Sequence, residues 1–227
     1  MKLDGNLHPI TQFIRESVSF FEKLGFEVYQ GPEVETEWYN FDALNVPADH
    51  PSRDVQDTFW LKDDRVLRTH TSNSQVRYSE TKTPPIKIIS PGNTYRNEAT
   101  DAGHETTFTQ MEGLYIDKDV KIGQLFWTLD TYFKAMFGEG TETRFKPSFF
   151  PFVEPGMEVD VKFKGKWFEL LGAGMVHPNV LRNMNIDPKI YSGFAFGMGV
   201  DRLVMLKHGI EDVRHFHSGD LRFLKQF

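Results

Sequence analysis

Arg96, Glu98, Gln110 and Glu112 are the residues of this chain whose types and spacing best suit polar chemistry. They fall within residues 86–117, IKIISPGNTYRNEATDAGHETTFTQMEGLYID, which read as two strands joined by a long polar loop. Alternate residues of a strand share a face, so Arg96 goes with Glu98 and Gln110 with Glu112. If the strands pair, one sheet face carries a guanidinium, two carboxylates and an amide. A planar guanidinium fork suits phosphate oxygens, and paired acceptors suit an ammonium group. A solvated strand face has the same composition. The apolar segments on either side favour a lined cleft instead.

The elements that position these groups follow from the flanking pattern. Ile86, Ile88 and Ile89 make a β-branched run that Pro91-Gly92 is expected to end, with a strand resuming at residues 93–98. Residues 99–107 hold no apolar cluster and read as a solvent-facing loop. Phe108, Gln110, Glu112 and Leu114 then alternate with Thr109, Met111, Gly113 and Tyr115. Ahead of this stretch, residues 9–24 predict an amphipathic helix, with Pro9 in its first turn and Gly25 at its stop, and residues 26–29 a short strand. Residues 34–54 read as irregular, with room for a short helix. Residues 57–61 and 65–69 predict two strands around a turn at 62–64, and Trp60 reads as core. Ser72 is placed to cap a helix reaching about residue 82, before Pro84-Pro85.

Beyond it, residues 120–137 predict a helix with an apolar stripe, assigned to core. Residues 143–146 begin a strand. SFFPFVEPG, 148–156, sets three Phe around Pro151, and its two Pro are expected to interrupt any ladder. Residues 157–164 and 166–171 predict a hairpin turning at Gly165. Gly172-Ala173-Gly174 lets backbone come close to a ligand or to neighbouring chain. His177-Pro178 opens a short helix to about 183, and residues 193–206 read as a strand followed by a helix with Arg202 near its start. Read alone, Glu154 is a solvated turn carboxylate and Arg202 a helix-surface cation.

A chain of 227 residues fits one domain with a sizeable core. No stretch approaches the roughly 18 apolar residues of a membrane span. The first nine residues contain no apolar signal segment. With no Cys, disulfides and thiolate metal sites are excluded, which fits a cytoplasmic location. A formal net charge of −6 argues against this chain alone gripping a phosphate backbone tightly. No internal repeat or low-complexity linker is evident.

YRNE, a loop and FTQMEG (motif 2, about 86–117) together resemble the second signature of class II aminoacyl-tRNA synthetases. GFAFGMGVDRLVML (motif 3, about 193–207) resembles the third, and GFEVYQGPEVE with its preceding helix (motif 1, about 9–35) the first. THTS at 69–72, FFPFVEPG at 149–156 and GAGMVHP at 172–178 are similar to the bacterial-type phenylalanyl-tRNA synthetase α subunits. The resemblance spans essentially the whole chain in family order and implies a single α+β catalytic domain over 1–227, an antiparallel sheet flanked by helices. It implies activation of phenylalanine by ATP and transfer of the phenylalanyl group to tRNA(Phe). Residue by residue it implies Arg96 on the α-phosphate, Glu98 and Phe108 at adenine, His104 at the distal phosphates and Arg202 on the γ-phosphate. It implies His70, Ser72, Gln110 and Glu112 at the amino acid's polar end. Trp60, Phe150, Phe152, Val153 and Ala195 line the ring pocket, with Ala195 facing it between Phe194 and Phe196. Glu154 becomes a Mg²⁺ ligand shared with the partner, ranked above Glu169. The family places a β subunit beside the α subunit and a homodimer contact through motif 1. Its N-terminal coiled coil has no counterpart in these 227 residues, and Asn73 stands where members often carry Pro. The same motifs leave open a class II relative for another amino acid, such as O-phosphoserine, and a non-catalytic paralogue that only binds.

Overall fold

The computed structural model describes residues 5–54 and 57–227; the reading of the N-terminus as free of a signal also touches residues 1–4, outside the described residues. Helix α1 (Pro9–Lys23) forms at the predicted place, its first turn closed by the His8 ring accepting from the Ile10 amide. Its stripe Ile10, Phe13 and Phe21 is buried. Gly25, at φ 84°, turns the chain into strand β1 (Glu27–Val28). Strand β2 (Val34–Thr36), helix α2 (Glu37–Asn40) and strand β3 (Arg65–Leu67) follow, with β2 antiparallel to β3. The expected strand over 57–61 is reduced to a bridge between Trp60 and Val66. Helix α3 (Asn73–Ser79) is shorter than expected, and Ser72 precedes it without capping it by its side chain.

Strand β4 (Ile86–Tyr95) runs unbroken through Pro91-Gly92, where the sequence predicted a stop. The reason lies in the neighbour. β1 pairs with β4 only at Ile88 and Ile89, so Pro91 sits past that pairing, where the outer edge of β4 is open and a missing amide costs little. The rest of the chain comprises β5 (Thr107–Asp117), α4 (Ile122–Phe137), β6 (Glu142–Phe150), β7 (Val153–Phe163), β8 (Lys166–Val176), α5 (Pro178–Asn183), β9 (Ser192–Gly199), α6 (Val200–His208) and α7 (Leu221–Leu224). The Pro-rich stretch around 148–156 breaks the ladder as expected, with a turn at 151–152 and register shifts around Phe150 and Pro155, but its flanks pair. β6 is the outermost strand, Pro147 pairs with Met157, and a register shift near Phe150 absorbs the irregularity.

Seven of the described strands form one sheet in the order β1-β4-β5-β9-β8-β7-β6, antiparallel except for the β1–β4 pair. Its two faces carry different cores. Met111, Phe196, Met198, Val159 and Val161 lie in one cluster with Phe13, Phe21, Leu129, Phe133 and Leu203 from α1, α4 and α6. Ile88, Leu114, Ala195 and Val153 lie in a second cluster with Phe41, Leu44, Val76 and Val180. This second cover is incomplete over the middle of the sheet, and the opening is the cleft.

Candidate active site

Antiparallel register fixes which side chains share the cleft. Ser90 pairs with Glu112, Glu112 with Gly197 and Gly197 with Gly172. One row away, Gly92 pairs with Gln110 and Gln110 with Gly199; on the other side, Leu114 pairs with Ala195 and Ala195 with Gly174. Directly paired residues project to the same face, so the carboxylate and amide of β5 stand beside a floor made largely of glycines. The floor is glycine for want of space: a Cβ at Gly197 would lie 2.8 Å from Glu112 Oε2, and one at Gly172 would lie 2.9 Å from Phe150 Cζ. Above this floor is a cavity of about 560 Å³, lined among others by Phe41, His70, Ser72, Arg96, Phe150 and Phe152.

Its polar end is built around Glu112. The Ser72 hydroxyl donates to Oε2 at 2.9 Å and the Gln75 amide donates to Oε1 at 2.6 Å. Burial pushes this carboxyl up to about 8, against those two hydrogen bonds, which lower it. Such a group is neutral until a cation arrives. An ammonium ion in the cavity supplies the charge that ionises it. Beside it, Gln110 Oε1 accepts from the Thr71 amide at 3.1 Å, which turns its NH₂ toward β9. Burial and the nearby Arg96 charge hold His70 down at about 3, so its ring is neutral. His70 Nδ1 is buried without a hydrogen-bond partner among the described residues, a group that a polar ligand in the cavity would satisfy.

The apolar end is aromatic. Phe150 and Phe152 stack with centroids 5.9 Å apart, and His70 lies 6.3 Å from Phe152. Val153 and Ala195 complete this end. Ala195 faces it, while Phe194 and Phe196 turn into the helix-side core, as alternation requires.

Arg96 and Glu98 also line the cavity, just past the end of β4 rather than within a second strand. The Arg96 amide still bonds to the Thr106 carbonyl at 2.9 Å, so the hairpin continues one step. The Arg96 guanidinium gives Nε to the Thr69 carbonyl at 3.2 Å and lies 4.9 Å over the Phe108 ring. Desolvation by the surrounding protein lowers the Arg96 pKa. Phe108 thus presents a ring beside the cation expected on the α-phosphate.

Five predicted residues stand outside this cavity, Phe108 and four others. Trp60 is one layer back, stacked on Phe41 at 6.5 Å and donating its Nε1–H to the Arg53 carbonyl. His104 is exposed in the loop, its Nδ1 2.9 Å from Asp101. Arg202, in the first turn of α6, is exposed and borders a second cavity with Lys164, Lys166 and Met205. Its neighbour Asp201 accepts from the Thr109 amide at 2.6 Å, which ties that turn to β5 next to Phe108. Glu154 is exposed and 3.2 Å from His177 Nε2. Among the described residues no group of three or more His, Cys, Asp or Glu is arranged to hold a metal ion. Glu169 is engaged by Lys146 at 3.5 Å.

Several cavity contributors were missed from sequence. Gln75 had a signal: it stands three residues after Ser72 and so points the same way on a helix. Phe41, Val46 and His50 had none, because long-range packing alone brings them in.

Known proteins share this arrangement. The family described as tRNA synthetases class II core domain (F) matches residues 1–227. The phenylalanine–tRNA ligase alpha subunits of Proteus mirabilis (strain HI4320) and Edwardsiella ictaluri (strain 93-146) are 56% and 55% identical over 225 residues. The match covers 99% of this chain and 68% of each relative. The pyrrolysyl-tRNA synthetase of Desulfitobacterium hafniense matches with a TM-score of 0.74 at 21% identity, over 95% of this chain and 75% of that one, a likeness of fold.

Proposed function

The chain belongs to the class II tRNA synthetase core family and, within it, to the phenylalanine–tRNA ligase alpha subunits, and from that premise we propose how its residues divide the work. The activity is ATP-dependent activation of L-phenylalanine followed by charging of tRNA. In our reading the whole chain is one catalytic domain. The substrate's ring enters between Phe150, Phe152, Val153 and Ala195, where aromatic pairs contribute about 0.5–1.5 kcal/mol beyond area burial. Its ammonium group meets Glu112 and draws out the proton held there. Gln110, His70 and Ser72 orient the remaining polar atoms. The substrate carboxylate is then aimed at the α-phosphate of ATP, which Arg96 holds.

Attack by that carboxylate oxygen on α-phosphorus forms the P–O bond of phenylalanyl adenylate as the bond to pyrophosphate breaks. No side chain is asked to act as a nucleophile. The protein contributes alignment and positive charge against the developing negative charge. Phe108 stacks on adenine, Glu98 contacts its edge, and His104 and Arg202 reach the distal phosphates. The 3′-terminal ribose of tRNA(Phe) then accepts the acyl group. Mg²⁺ would accompany the nucleotide and neutralise phosphate charge. Glu154 offers one carboxylate to it, the other ligands coming from outside this chain, and no step is routed through it. A β subunit is the expected partner, motif 1 a further contact for a second copy, and the cytoplasm the location.

One observation carries this reading: Glu112, Gln110 and Arg96 share a glycine-floored cavity whose far end is purely apolar and aromatic. That end has no cation to receive O-phosphoserine. Substitution of Arg96 by lysine keeps the charge and loses the planar fork. ATP–pyrophosphate exchange should fall about a hundredfold with the fold intact. Exchange within twofold of the parent would remove Arg96 from the α-phosphate.

A further inference from the structure

Residues 97–104 are exposed, yet the tip of this loop is bonded to the body of the protein. The Val213 amide donates to the Ala102 carbonyl at 2.9 Å. Within the tip, Asp101 Oδ1 accepts from the amides of Gly103 and His104 at 2.7 and 2.9 Å. The same carboxylate takes His104 Nδ1, so Nε2 is the ring nitrogen left to meet a ligand. The other side of the contact is anchored. Val213 opens a 3₁₀ turn, Val213–Phe216, whose two end residues are buried in the helix-side core. His8 Nε2 lies 3.1 Å from the Phe216 carbonyl, and Asp212 Oδ1 accepts from the Arg214 amide at 3.0 Å. Arg214 is clamped first by Asp212 and also feels the loop carboxylates Glu105 and Asp101.

We infer that residues 212–214 are a latch that holds the loop tip and so sets where His104 stands relative to the distal phosphates of ATP. Val213 acts through its backbone and Arg214 through charge. Both are positioning residues, since neither lines the substrate cavity. The inference rests on the reading of this loop as a nucleotide contact.

Val213→Pro tests it cleanly. Asp212 is extended, at φ −135° and ψ 116°, as the residue before proline should be. Proline also suits the first position of a helical turn, where its nitrogen need not donate within the helix. The variant therefore deletes the latch bond, and a thermal melt reports what the change at the buried Val213 side chain does to core packing. Measured by pyrophosphate exchange with the β partner present, KM for ATP should rise about three- to tenfold while KM for phenylalanine stays put. Limited proteolysis should cut within 99–106 faster. Arg214→Glu, at a half-exposed side chain and with its fold checked by thermal melting, should shift KM for ATP the same way, with the effect fading in high salt. His104→Ala is the control for the underlying reading. If it leaves KM for ATP unchanged, the nucleotide role of the loop fails and the latch with it. If it raises KM while both latch variants match the parent, or if those variants raise both KM values equally, the latch is overturned and the loop's role stands.

Discussion

Glu112 is the residue on which substrate recognition and pH meet. Its folded pKa, about 8, lies above the ordinary carboxylate value because burial outweighs the Ser72 and Gln75 hydrogen bonds. Between those two values the empty folded protein holds a proton that the unfolded chain has released. This contribution to stability is therefore full below the unfolded pKa and is lost as pH rises toward about 8. Phenylalanine binding needs the ionised form, so its apparent affinity should rise with pH up to about 8, by roughly tenfold per unit at the steepest. Titration of phenylalanine binding at several pH values checks this. Glu112→Gln should bind more weakly and lose the pH dependence, whereas a flat profile in the parent would contradict the assignment. Ala195 governs the other end. Ala195→Gly removes the methyl at the floor of the ring pocket and should raise kcat/KM for 4-chlorophenylalanine relative to phenylalanine; tyrosine rejection should weaken too, since an apolar pocket excludes a hydroxyl only about a hundredfold. An unchanged ratio would take Ala195 out of the pocket. Alternation assigned both residues their faces, and the family resemblance their roles. Read from its local pattern, Ser72 is a helix cap. Its hydroxyl is drawn instead to a buried carboxylate 40 residues away in sequence, a long-range fact that no local pattern carries.

At the scale of elements, β5 and β9 form a hinge-free platform whose two faces do different work. Gly197 faces the cleft and Gly113 the helix-side core. A Cβ at Gly113 would fall 2.1 Å from the Phe196 ring, which is itself stacked on Phe21 at 5.5 Å and cannot withdraw. Gly113→Ala should therefore cost about 1–3 kcal/mol of stability and leave exchange kinetics of the folded fraction unchanged. Gly197→Ala presses on the Glu112 carboxylate, which Ser72 and Gln75 hold, so it should raise KM for phenylalanine and lower the melting temperature less than Gly113→Ala does. Thermal melts beside exchange kinetics decide the matter, and the opposite pairing of effects would mean the faces are misassigned. The helices α1 and α4, the hairpin at Gly165 and the strand-to-helix passage at Gly199 were readable because periodicity and turn residues agree there. β4 was misread at Pro91-Gly92 because a proline's effect depends on whether its strand has a neighbour at that point. Over residues 148–156 the expected interruption appears as a turn at 151–152 and register shifts around Phe150 and Pro155, while the flanking residues stay in β6 and β7.

The whole molecule carries a net charge of −6, and of the positive groups assigned to the chemistry Arg96 alone lines the cleft among the described residues. Such a surface activates a small substrate more readily than it grips a polyanion. The chain alone should therefore form adenylate at a useful rate and charge tRNA slowly. Addition of the β partner should raise charging at least about tenfold while exchange changes little; efficient charging by the chain alone would contradict this. Fold class was legible in the sequence because motifs 1, 2 and 3 occur in order along one chain, whereas the cover over the cleft was not, since residues 41–60 lack periodicity. The most direct test is ATP–pyrophosphate exchange by the purified protein with a panel of amino acids, measured as kcat/KM for each. The cavity predicts that phenylalanine leads, with tyrosine and aliphatic amino acids behind by about two orders of magnitude and O-phosphoserine inert. Exchange that is absent with phenylalanine, or faster with another amino acid, would contradict it.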